Sequence, residues 1–325
     1  MVVSLPLRLM IEIVVEHPEE KMEQINECIA ALRKAAPDID IMQDEPMSRH
    51  TTFAIGGPAD LFVQPKTRRE LAETLGVFRE RGIPFLLLGN GSNMLVADAG
   101  IRGAVVCTTE LDEVRVGNDC TMTAEAGALL GRVARRAQRA GLTGAEFAGG
   151  IPGSVGGAVF MNAGAYDGQM AGIVESTEYL DGNGELHTLT GEEHHFGYRR
   201  SVFRAHPDWT VVRSTLRLQQ GDPAAILDKM NDFAQRRRDK QPLNFPSAGS
   251  TFKRPEGHFA GRLIEDAGLK GVSVGAAQVS EKHAGFLINR GGATCDDMLR
   301  LIELVQQRVR EQFGVQLECE VRIIR

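Results

Sequence analysis

The chain has 325 residues, of which 42% are hydrophobic and 25% are charged, and its formal net charge is −6. This length is typical of about two domains, or of three small ones, and the apolar fraction is ordinary for a globular protein with a sizeable core. The negative charge argues against non-specific nucleic-acid binding, which needs a strongly basic surface, but it leaves room for a local basic pocket.

The chain opens on an apolar stretch at residues 5–15 that contains one arginine and one glutamate. The stretch is too short and too charged to span a bilayer, and no signal-peptide cleavage site follows it. We expect an edge strand or an N-terminal extension here. Residues 17–35 then show the apolar spacing of a helix, and a linker is expected up to about Met47. Residues 1–48 are treated as an N-terminal extension without an assigned function.

From Thr51 onward, strands and helices follow one another without a strict βαβ repeat, which indicates an α+β protein. The pattern predicts a helix at 71–81, strands at 84–88, 103–108 and 120–126, a helix at 130–140, a hairpin at 179–189 that turns at 181–184, a strand at 209–218, a helix that follows a break at 221–223 and ends near 240, helices at 260–267 and 295–312, and a strand at 317–324. Ile226, Met230 and Phe233 form the inner face of the helix that ends near residue 240.

Glycine is concentrated between Gly141 and Gly168, with nine glycines in 28 residues. Because glycine is costly to order, this density needs a structural reason, and the usual one is a backbone that approaches an anion with several N–H groups. Apolar residues are threaded through the run, so it is not a flexible linker. We interpret it as a rigid, buried phosphate-binding loop. The alternative is close packing of two backbones without a ligand.

A second candidate loop, Gly89-Asn-Gly-Ser-Asn-Met-Leu95, follows a predicted buried strand. Neither loop matches a Walker A sequence, and neither completes G-x-G-x-x-G, since the sixth position of the motif, counted with Gly89 as the first, is Met94. A P-loop nucleotide hydrolase and a Rossmann dinucleotide site are therefore not supported. Two glycine-rich loops that start 60 positions apart could instead hold two phosphates of one extended cofactor.

Three further motifs contain groups that could do chemistry. Phe196-Gly-Tyr-Arg-Arg-Ser201 suits recognition of a carboxylate or phosphate, although a surface pair of arginines is equally consistent. The segment 245–253 could present a serine hydroxyl rigidly, or use its hydroxyls for ordinary turn bonds. Glu318-Cys-Glu320 places two carboxylates on one face of the last predicted strand, where they would be plain surface charges if that face is solvated.

Two charged clusters carry weaker signals. Arg236-Arg-Arg238 and Lys240 lie at a helix end, where they complement the helix dipole or contact a pyrophosphate. Glu192-Glu-His-His195 lacks metal-ligand spacing, so we expect a solvated loop and no metal site. The five cysteines are odd in number, scattered and without C-x-x-C spacing, which argues against disulfides and zinc and indicates a reducing, cytoplasmic setting.

Taken together, the motifs resemble the UDP-N-acetylenolpyruvoylglucosamine reductases, the MurB family of flavoenzymes of peptidoglycan precursor synthesis. The resemblance runs from about Arg49 to Arg325 and follows the family's order of motifs. The six motifs are residues 51–59, 89–95, 146–165, 197–201, 248–253 and 317–322. Arg199 and Ser250 are 51 positions apart, which is short for the branch with an extra tyrosine-bearing loop. The chain therefore resembles the second, loop-lacking branch.

The resemblance implies an α+β fold with a two-subdomain FAD-binding region of the vanillyl-alcohol oxidase, or PCMH, type and an α+β C-terminal substrate domain. The implied boundaries are 50–220 for the FAD region, with subdomains at about 50–115 and 116–220, 226–319 for the substrate domain, and 320–325 for a strand that returns to the active site. The first 45 residues lie outside the resemblance.

The resemblance also implies the reaction of a UDP-N-acetylmuramate dehydrogenase. A hydride from NADPH passes through non-covalently bound FAD to the enolpyruvyl alkene of UDP-N-acetylglucosamine enolpyruvate, and protonation then gives UDP-N-acetylmuramate. Arg199 and Glu320 take the family's charge-stabilising positions, and Ser250 takes the proton-donor position. Because an ionised carboxylate would repel an enolate-like species, we expect Glu320 to be protonated or neutralised by a neighbour.

The family's cofactor and substrate contacts map onto particular residues here. The FAD-binding residues implied are Gly89, Asn90, Gly91, Ser92, Asn93, Gly150, Ile151, Pro152, Gly153, Ser154, Gly156, Gly157, Ala158, Asn162, Ala163, Gly164 and Ala165. Tyr198, Lys240, Lys253 and Gln278 are candidates for the UDP-sugar. Many relatives carry Asn where this chain has Arg254, so a substrate contact at that position stays open.

We expect small-molecule substrates, no nucleic-acid or membrane partner, and a monomer or weak oligomer. Two other functions compete with this one. A covalent flavin oxidase is disfavoured because the cofactor loops offer neither His nor Cys as a tether. A non-catalytic UDP-sugar-binding protein would be redox-inert, and the joint presence of Arg199, Ser250 and Glu320 argues against it.

Overall fold

The computed structural model describes the backbone of residues 18–325 and the side chains from residue 22 onward, so the apolar stretch at 5–15 lies outside the described residues. Seven α-helices occur in the described range: α1 (Pro18–Ala35), α2 (Arg68–Glu80), α3 (Leu130–Arg139), α4 (Val155–Met161), α5 (Pro223–Lys240), α6 (Ala260–Asp266) and α7 (Cys295–Phe313). None of these helices has the length and apolar character that crossing a bilayer requires.

The same range contains 18 strands, most of them short. They are β1 (Asp40–Pro46), β2 (Pro58–Gln64), β3 (Phe85–Leu88), β4 (Met94–Val96), β5 (Ile101–Cys107), β6 (Val114–Val116), β7 (Thr121–Glu125), β8 (Leu142–Thr143), β9 (Gly164–Ala165), β10 (Gly168–Gln169), β11 (Val174–Leu180), β12 (Leu186–Thr190), β13 (Thr210–Arg217), β14 (Gln219–Gln220), β15 (Ser273–Val274), β16 (Ala277–Val279), β17 (Leu287–Asn289) and β18 (Arg322–Ile324). The mixture of helices with parallel and antiparallel strands confirms the predicted α+β class.

A four-stranded sheet in the order β1-β2-β5-β3 forms the first subdomain. β1 is antiparallel to β2, and the other neighbours are parallel. One face of this sheet packs against α1 and α2. In α2, the side chains of Leu71, Leu75 and Phe78 are fully buried at helical spacing. Thr67 caps α2 by accepting a hydrogen bond from the backbone N–H of Glu70. The first glycine loop follows β3 directly, at the carboxyl end of a parallel strand.

The predicted linker before Met47 is wrong, because residues 40–46 form β1. No apolar alternation marks this edge strand, since its side chains are exposed or only half buried. In addition, Leu32, Ala36 and Ile39 are buried beneath the sheet. The described part of the N-terminal extension therefore contributes to the core of the first subdomain.

A five-stranded antiparallel sheet in the order β12-β11-β13-β7-β6 forms the second subdomain, with α3 and α4 packed on its core. The predicted hairpin is confirmed: β11 and β12 pair across a turn in which Asp181 accepts the N–H groups of Asn183 and Glu185 at 2.8 and 2.9 Å. An aspartate at the first position of such a turn stabilises it by mimicking a backbone acceptor.

His194 is fully buried in this subdomain, so the predicted solvated loop is wrong at this position. Its Nδ1 lies 3.0 Å from the carbonyl of Gly191, which can only accept, and its Nε2 lies 2.9 Å from the hydroxyl of Thr177. Nδ1 therefore carries a proton, and a neutral ring can accept at Nε2 from Thr177, whose hydroxyl also lies 3.0 Å from that of Ser214. Burial lowers the pKa of His194.

We expect the free energy of unfolding to fall as the pH drops below about 6.5, because the unfolded histidine takes up a proton that the folded one resists. One such group contributes a slope of at most about 1.4 kcal/mol per pH unit. Urea unfolding at pH 7.5 and 5.5 measures the slope. His194→Gln should flatten it, whereas His195→Gln, at the exposed neighbour, should keep the wild-type slope; an unchanged slope in His194→Gln contradicts this account.

The C-terminal region combines α6 and α7 with the antiparallel sheet β15-β16-β17. α7 begins at a capping box in which Thr294 and Asp297 each accept from the other's backbone N–H. The core under α7 also contains Phe53, Ile55 and Leu95, which belong to the first subdomain in sequence. The two regions therefore share one apolar core.

Further contacts join the C-terminal region to the rest of the chain. Asp98 accepts hydrogen bonds from the backbone N–H groups of Cys295 and Asp296 at 2.8 and 3.1 Å, so it adds a second cap to α7. The predicted strand at 317–324 is shorter than expected: only β18 is regular, and it runs parallel to β4. The residues before β18 are irregular and form one isolated bridge, between Cys319 and Phe252.

Candidate active site

The two glycine-rich loops lie against each other. A Cβ atom on Gly89 would lie 2.1 Å from Oγ of Ser154, so only glycine allows this approach. Asn90 donates its side-chain amide to the carbonyl of Pro152 at 2.5 Å. The prediction that both loops serve one site thus has a structural basis, because the loops are in direct contact.

Close backbone packing, the alternative explanation for the glycines, accounts for two of them, and phosphate binding by the others stays a prediction. Gly91 has φ +57°, and a Cβ there would lie 1.9 Å from the carbonyl oxygen of His50. Gly156 packs on Ala126, whose carbonyl accepts its N–H at 2.8 Å. The amide of Gly156 is therefore used within the protein, and close backbone packing accounts for this glycine.

Two buried hydroxyls at the loops have no hydrogen-bond partner among the described residues: Oγ of Ser154 and Oγ1 of Thr52. Thr52 also donates its backbone N–H to the carbonyl of Gly91 at 3.2 Å, so it lies beside the first loop. A buried hydroxyl without a partner is costly, and a polar ligand would satisfy it. The residues present therefore fit a cofactor with phosphate and hydroxyl groups. Sequence reasoning missed Thr52, although the motif 51–59 contains it.

The end of the second loop has partners within the protein. Asn162, at φ +44°, donates to the carbonyl of Gly197 at 3.0 Å and accepts from the N–H of Ala171 at 2.9 Å. β9, which is Gly164–Ala165, pairs with β10 in a short hairpin. Cofactor contacts by these residues stay predictions. The side chain of Asn162 instead supports the turn that carries Tyr198 and Arg199.

Arg199 and Glu320 form an ion pair, with Nε of the arginine 2.5 Å from Oε1 of the glutamate. Their side chains are 22% and 15% exposed. Burial raises the pKa of the Glu320 carboxyl, and the guanidinium of Arg199 opposes that rise. Arg199 is thus the neighbour that can neutralise Glu320. By contrast, Glu318 is 71% exposed and pairs with Lys253 at 2.9 Å, so the surface-charge alternative describes Glu318 but not Glu320.

Ser250 lies beside this pair. It is exposed, it follows Gly249 at φ +74°, and it forms an isolated antiparallel bridge with Phe286. The next residue, Thr251, accepts the backbone N–H of Glu320 at 2.8 Å. The structure thus pairs Arg199 with Glu320 and joins the backbone of Glu320 to the residue after Ser250, while the catalytic role of Ser250 stays a prediction.

Asn93 of the first glycine loop connects directly to Glu320. Its side-chain amide donates to the backbone carbonyl of Glu320 at 3.1 Å, and its own carbonyl accepts from the N–H of Arg322 at 3.0 Å. The side chain of this predicted cofactor residue is therefore used to hold Glu320. The backbone of Glu320 is fixed on both sides, by Asn93 and by Thr251.

Two of the predicted substrate residues lie next to the ion pair and two lie elsewhere. The guanidinium of Arg199 is 5.0 Å from the centre of the Tyr198 ring, and the Tyr198 hydroxyl accepts from the N–H of Arg254 at 3.0 Å. The charge of Lys253 opposes the rise that burial causes in the pKa of Glu320, so Lys253 also lies near the ion pair. Arg254 itself lies over the Phe259 ring at 3.9 Å.

Gln278 lines a cavity of about 530 Å³ whose walls include none of the three predicted catalytic residues. Its side chain donates to the carbonyl of Gly271 at 3.0 Å and accepts from Arg290 at 3.1 Å. Lys240 is exposed at the end of α5. The structure therefore does not place Gln278 or Lys240 in contact with the ion pair, and their substrate roles stay predictions.

Comparison with known proteins gives two family matches. Residues 241–324 match the C-terminal domain of UDP-N-acetylenolpyruvoylglucosamine reductase, and residues 59–190 match an FAD binding domain. The UDP-N-acetylenolpyruvoylglucosamine reductase of Clostridium perfringens is 50% identical over 303 residues, which cover 93% of this chain and 99% of that protein. The enzyme of Clostridium botulinum is 47% identical over 93% of this chain and 98% of its own length.

A solved structure agrees with these matches. The MurB reductase of Thermus caldophilus superimposes with a TM-score of 0.74 at 36% identity, covering 88% of this chain and 99% of that one. An alignment of 303 residues leaves at most 325 − 303 = 22 residues outside it, so the similarity extends into the first 45 residues, further than the motifs indicate. On this evidence, the chain belongs to the UDP-N-acetylenolpyruvoylglucosamine reductase, or MurB, family.

Proposed function

We propose that the chain reduces UDP-N-acetylenolpyruvoylglucosamine to UDP-N-acetylmuramate, with NADPH as the hydride donor and with Arg199, Ser250 and Glu320 as the catalytic residues. The observation that carries the proposal is the convergence on Glu320. Its backbone is held by Asn93 of a glycine loop and by Thr251 next to the serine, and its side chain pairs with the arginine.

FAD, when bound, supplies the hydride transfer from NADPH to the enolpyruvyl alkene. The first loop, residues 89–93, and the start of the second, residues 150–154, would hold the cofactor, with the unpartnered hydroxyls of Ser154 and Thr52 as donors. The proposed FAD region spans 50–220, with subdomains at about 50–115 and 116–220. The substrate domain is proposed at 226–319, with 320–325 returning to the active site. α5, at the proposed start of the substrate domain, packs on the second loop.

Arg199 stabilises the negative charge that develops on the carboxylate end of the substrate. A fixed cation in a largely buried site is effective because no solvent has to reorganise around the forming charge. Its Nε donates a hydrogen bond to Glu320. Its two terminal nitrogens have no hydrogen-bond acceptor among the described residues. A planar guanidinium can therefore bind Glu320 on one edge and a substrate carboxylate on the other.

Ser250 gives its hydroxyl proton to the carbon next to the substrate carboxylate, after hydride has reached the terminal alkene carbon. A serine is a weak acid near neutral pH, so its oxygen must recover a proton from a relay or be stabilised as an anion. The raised pKa of Glu320 makes this carboxyl the nearby group best suited to hold a proton. Arg199 supplies the positive charge for an anionic serine oxygen.

The proposal is tested by colour and by two half-reactions. Purified protein should be yellow, release FAD on denaturation and lose its flavin absorbance with NADPH. Addition of the enolpyruvyl substrate should then restore the absorbance, and UDP-N-acetylmuramate should appear. A colourless, redox-inert protein contradicts the proposal. A reducing, cytoplasmic setting and a monomer or weak oligomer are also proposed.

We expect Asn93→Asp to slow the second half-reaction about two- to tenfold, because the side chain loses the donor that holds the Glu320 carbonyl. Flavin retention and bleaching by NADPH should stay at wild-type levels. Asn90→Asp is the matched control: it breaks the contact with Pro152 and should weaken flavin retention instead. Stopped-flow absorbance separates the two steps, and equal loss of both half-reactions in Asn93→Asp contradicts the assignment.

A further inference from the structure

Arg237 occupies a position on α5 where an apolar residue is expected. Ile226, Met230 and Phe233 form the inner face of the helix, and residue 237 is the next position at this spacing. The residues of that face do contact the second glycine loop: a Cβ on Gly149 would lie 3.1 Å from the terminal carbon of Met230. A cation therefore continues an apolar helix face.

The Arg237 side chain lies on the glycine loop itself. A Cβ on Gly150 would be 2.6 Å from Cδ, 3.2 Å from Nε and 3.1 Å from Nη1 of Arg237, so the guanidinium covers the backbone of this loop. One turn earlier, Phe233 stacks on Tyr166 at 4.4 Å, which fixes α5 against the same region. The cation is thus held at one place on the predicted cofactor cradle.

Within the described residues, the Arg237 side chain has neither an ion pair nor a hydrogen bond. Its neighbours do have partners: Arg236 pairs with Asp232 at 2.7 Å, and Arg238 donates to Gln235 at 2.7 Å. Burial lowers the pKa of Arg237, and Tyr166 opposes that effect, whereas no carboxylate does. A half-buried cation without an acceptor destabilises the fold, and a bound anion would offset the free-energy cost of removing the guanidinium from water.

We propose that Arg237 is a binding residue for a diphosphate, which it reaches from α5 at the loop containing Gly150. The planar guanidinium offers two parallel donors to phosphate oxygens, whereas the loop supplies backbone amides and the Ser154 hydroxyl. Three molecules of the proposed reaction carry a diphosphate, namely FAD, the UDP-sugar substrate and NADPH, and we propose that Arg237 binds one of the first two. The inference rests on the proposed function and adds a side chain that neither the motifs nor the reaction requires.

The test compares Arg237→Met with Arg236→Met, which removes the same charge from the adjacent, exposed position. FAD retention is measured on diluted holoenzyme from the fluorescence of released flavin. UDP binding to holoenzyme is measured by calorimetry. Arg237→Met should weaken one of the two affinities about tenfold or more, since hydrogen bonds to charged groups are the strong ones, and Arg236→Met should change neither more than about twofold.

The affinity that changes identifies which diphosphate binds. Arg237→Lys keeps the charge without the planar guanidinium, so it should lose less affinity than Arg237→Met. Added salt should reduce the difference in affinity between Arg237→Lys and the wild type. Arg237→Lys also tests the proposal if Arg237→Met does not fold. Wild-type affinities for both molecules in Arg237→Met, or an equal loss in Arg236→Met, would overturn the proposal. Wild-type protein without flavin or UDP binding would instead refute the proposed function.

Discussion

Ser250→Ala should stop product formation while NADPH still bleaches the flavin. Removal of a positioned proton donor costs typically about 10²–10⁴-fold, and that loss should fall on the second half-reaction alone. The hydroxyl is exposed, and no described residue is hydrogen-bonded to it, so its removal should leave the fold intact. Stopped-flow absorbance with NADPH, followed by the enolpyruvyl substrate, gives both rates from one sample.

Ser247→Ala is the control for Ser250, because it removes a hydroxyl from the same turn at a position without a proposed role. It should behave as wild type in both half-reactions. If Ser250→Ala instead stops both half-reactions together, the serine is needed for flavin binding or folding, and its assignment as the proton donor is wrong.

Arg199→Met should lower turnover about 10²–10³-fold, the usual cost of removing one group that stabilises charge in a transition state. The variant also leaves the carboxyl of Glu320 largely buried without its partner. Since Arg199 lowers the Glu320 pKa in the wild type, that pKa should rise further in the variant. Residual activity should then fall as the pH rises, because Glu320 has to carry its own proton to be neutral.

The control is Arg200→Met, which removes an exposed guanidinium from the adjacent residue. Turnover measured from pH 6 to pH 9 should show the wild-type profile for Arg200→Met and a falling profile for Arg199→Met. Glu320→Gln tests the same pair from the other side, and full turnover in that variant counts against a catalytic role for the carboxyl. A pH-independent loss in Arg199→Met would mean that Glu320 does not need to be neutral.

Local signals in the sequence predicted the local structure well. The turn at Asp181 and the helix predicted at 295–312 depend on signals from residues only a few positions apart, and both were found where expected. β1 was missed because an edge strand with half-exposed side chains has no apolar period. His194 was missed because a buried polar side chain looks like a surface one until its partners are known.

The candidate site shows the limit of sequence reasoning more sharply. Arg199 and Glu320 are 121 positions apart, and Asn93 and Glu320 are 227 apart, so no spacing rule connects them. Only the family resemblance grouped Arg199, Ser250 and Glu320 as catalytic. Asn93 holds the Glu320 carbonyl, and the Arg237 side chain has no acceptor among the described residues. Both facts depend on which groups lie nearby, and only the three-dimensional structure contains that information.

The C-terminal region cannot be inherited or exchanged as a detachable module. Its core includes the side chains of Phe53, Ile55 and Leu95, and the carboxylate of Asp98 caps the first turn of its long helix. A chimaera joined near residue 241, from parents that differ at those four positions, would combine a mismatched interior with a helix that has lost one of its caps. Recombination between relatives should therefore preserve residues 53–98 together with the C-terminal region, although more than a hundred residues separate them in the gene.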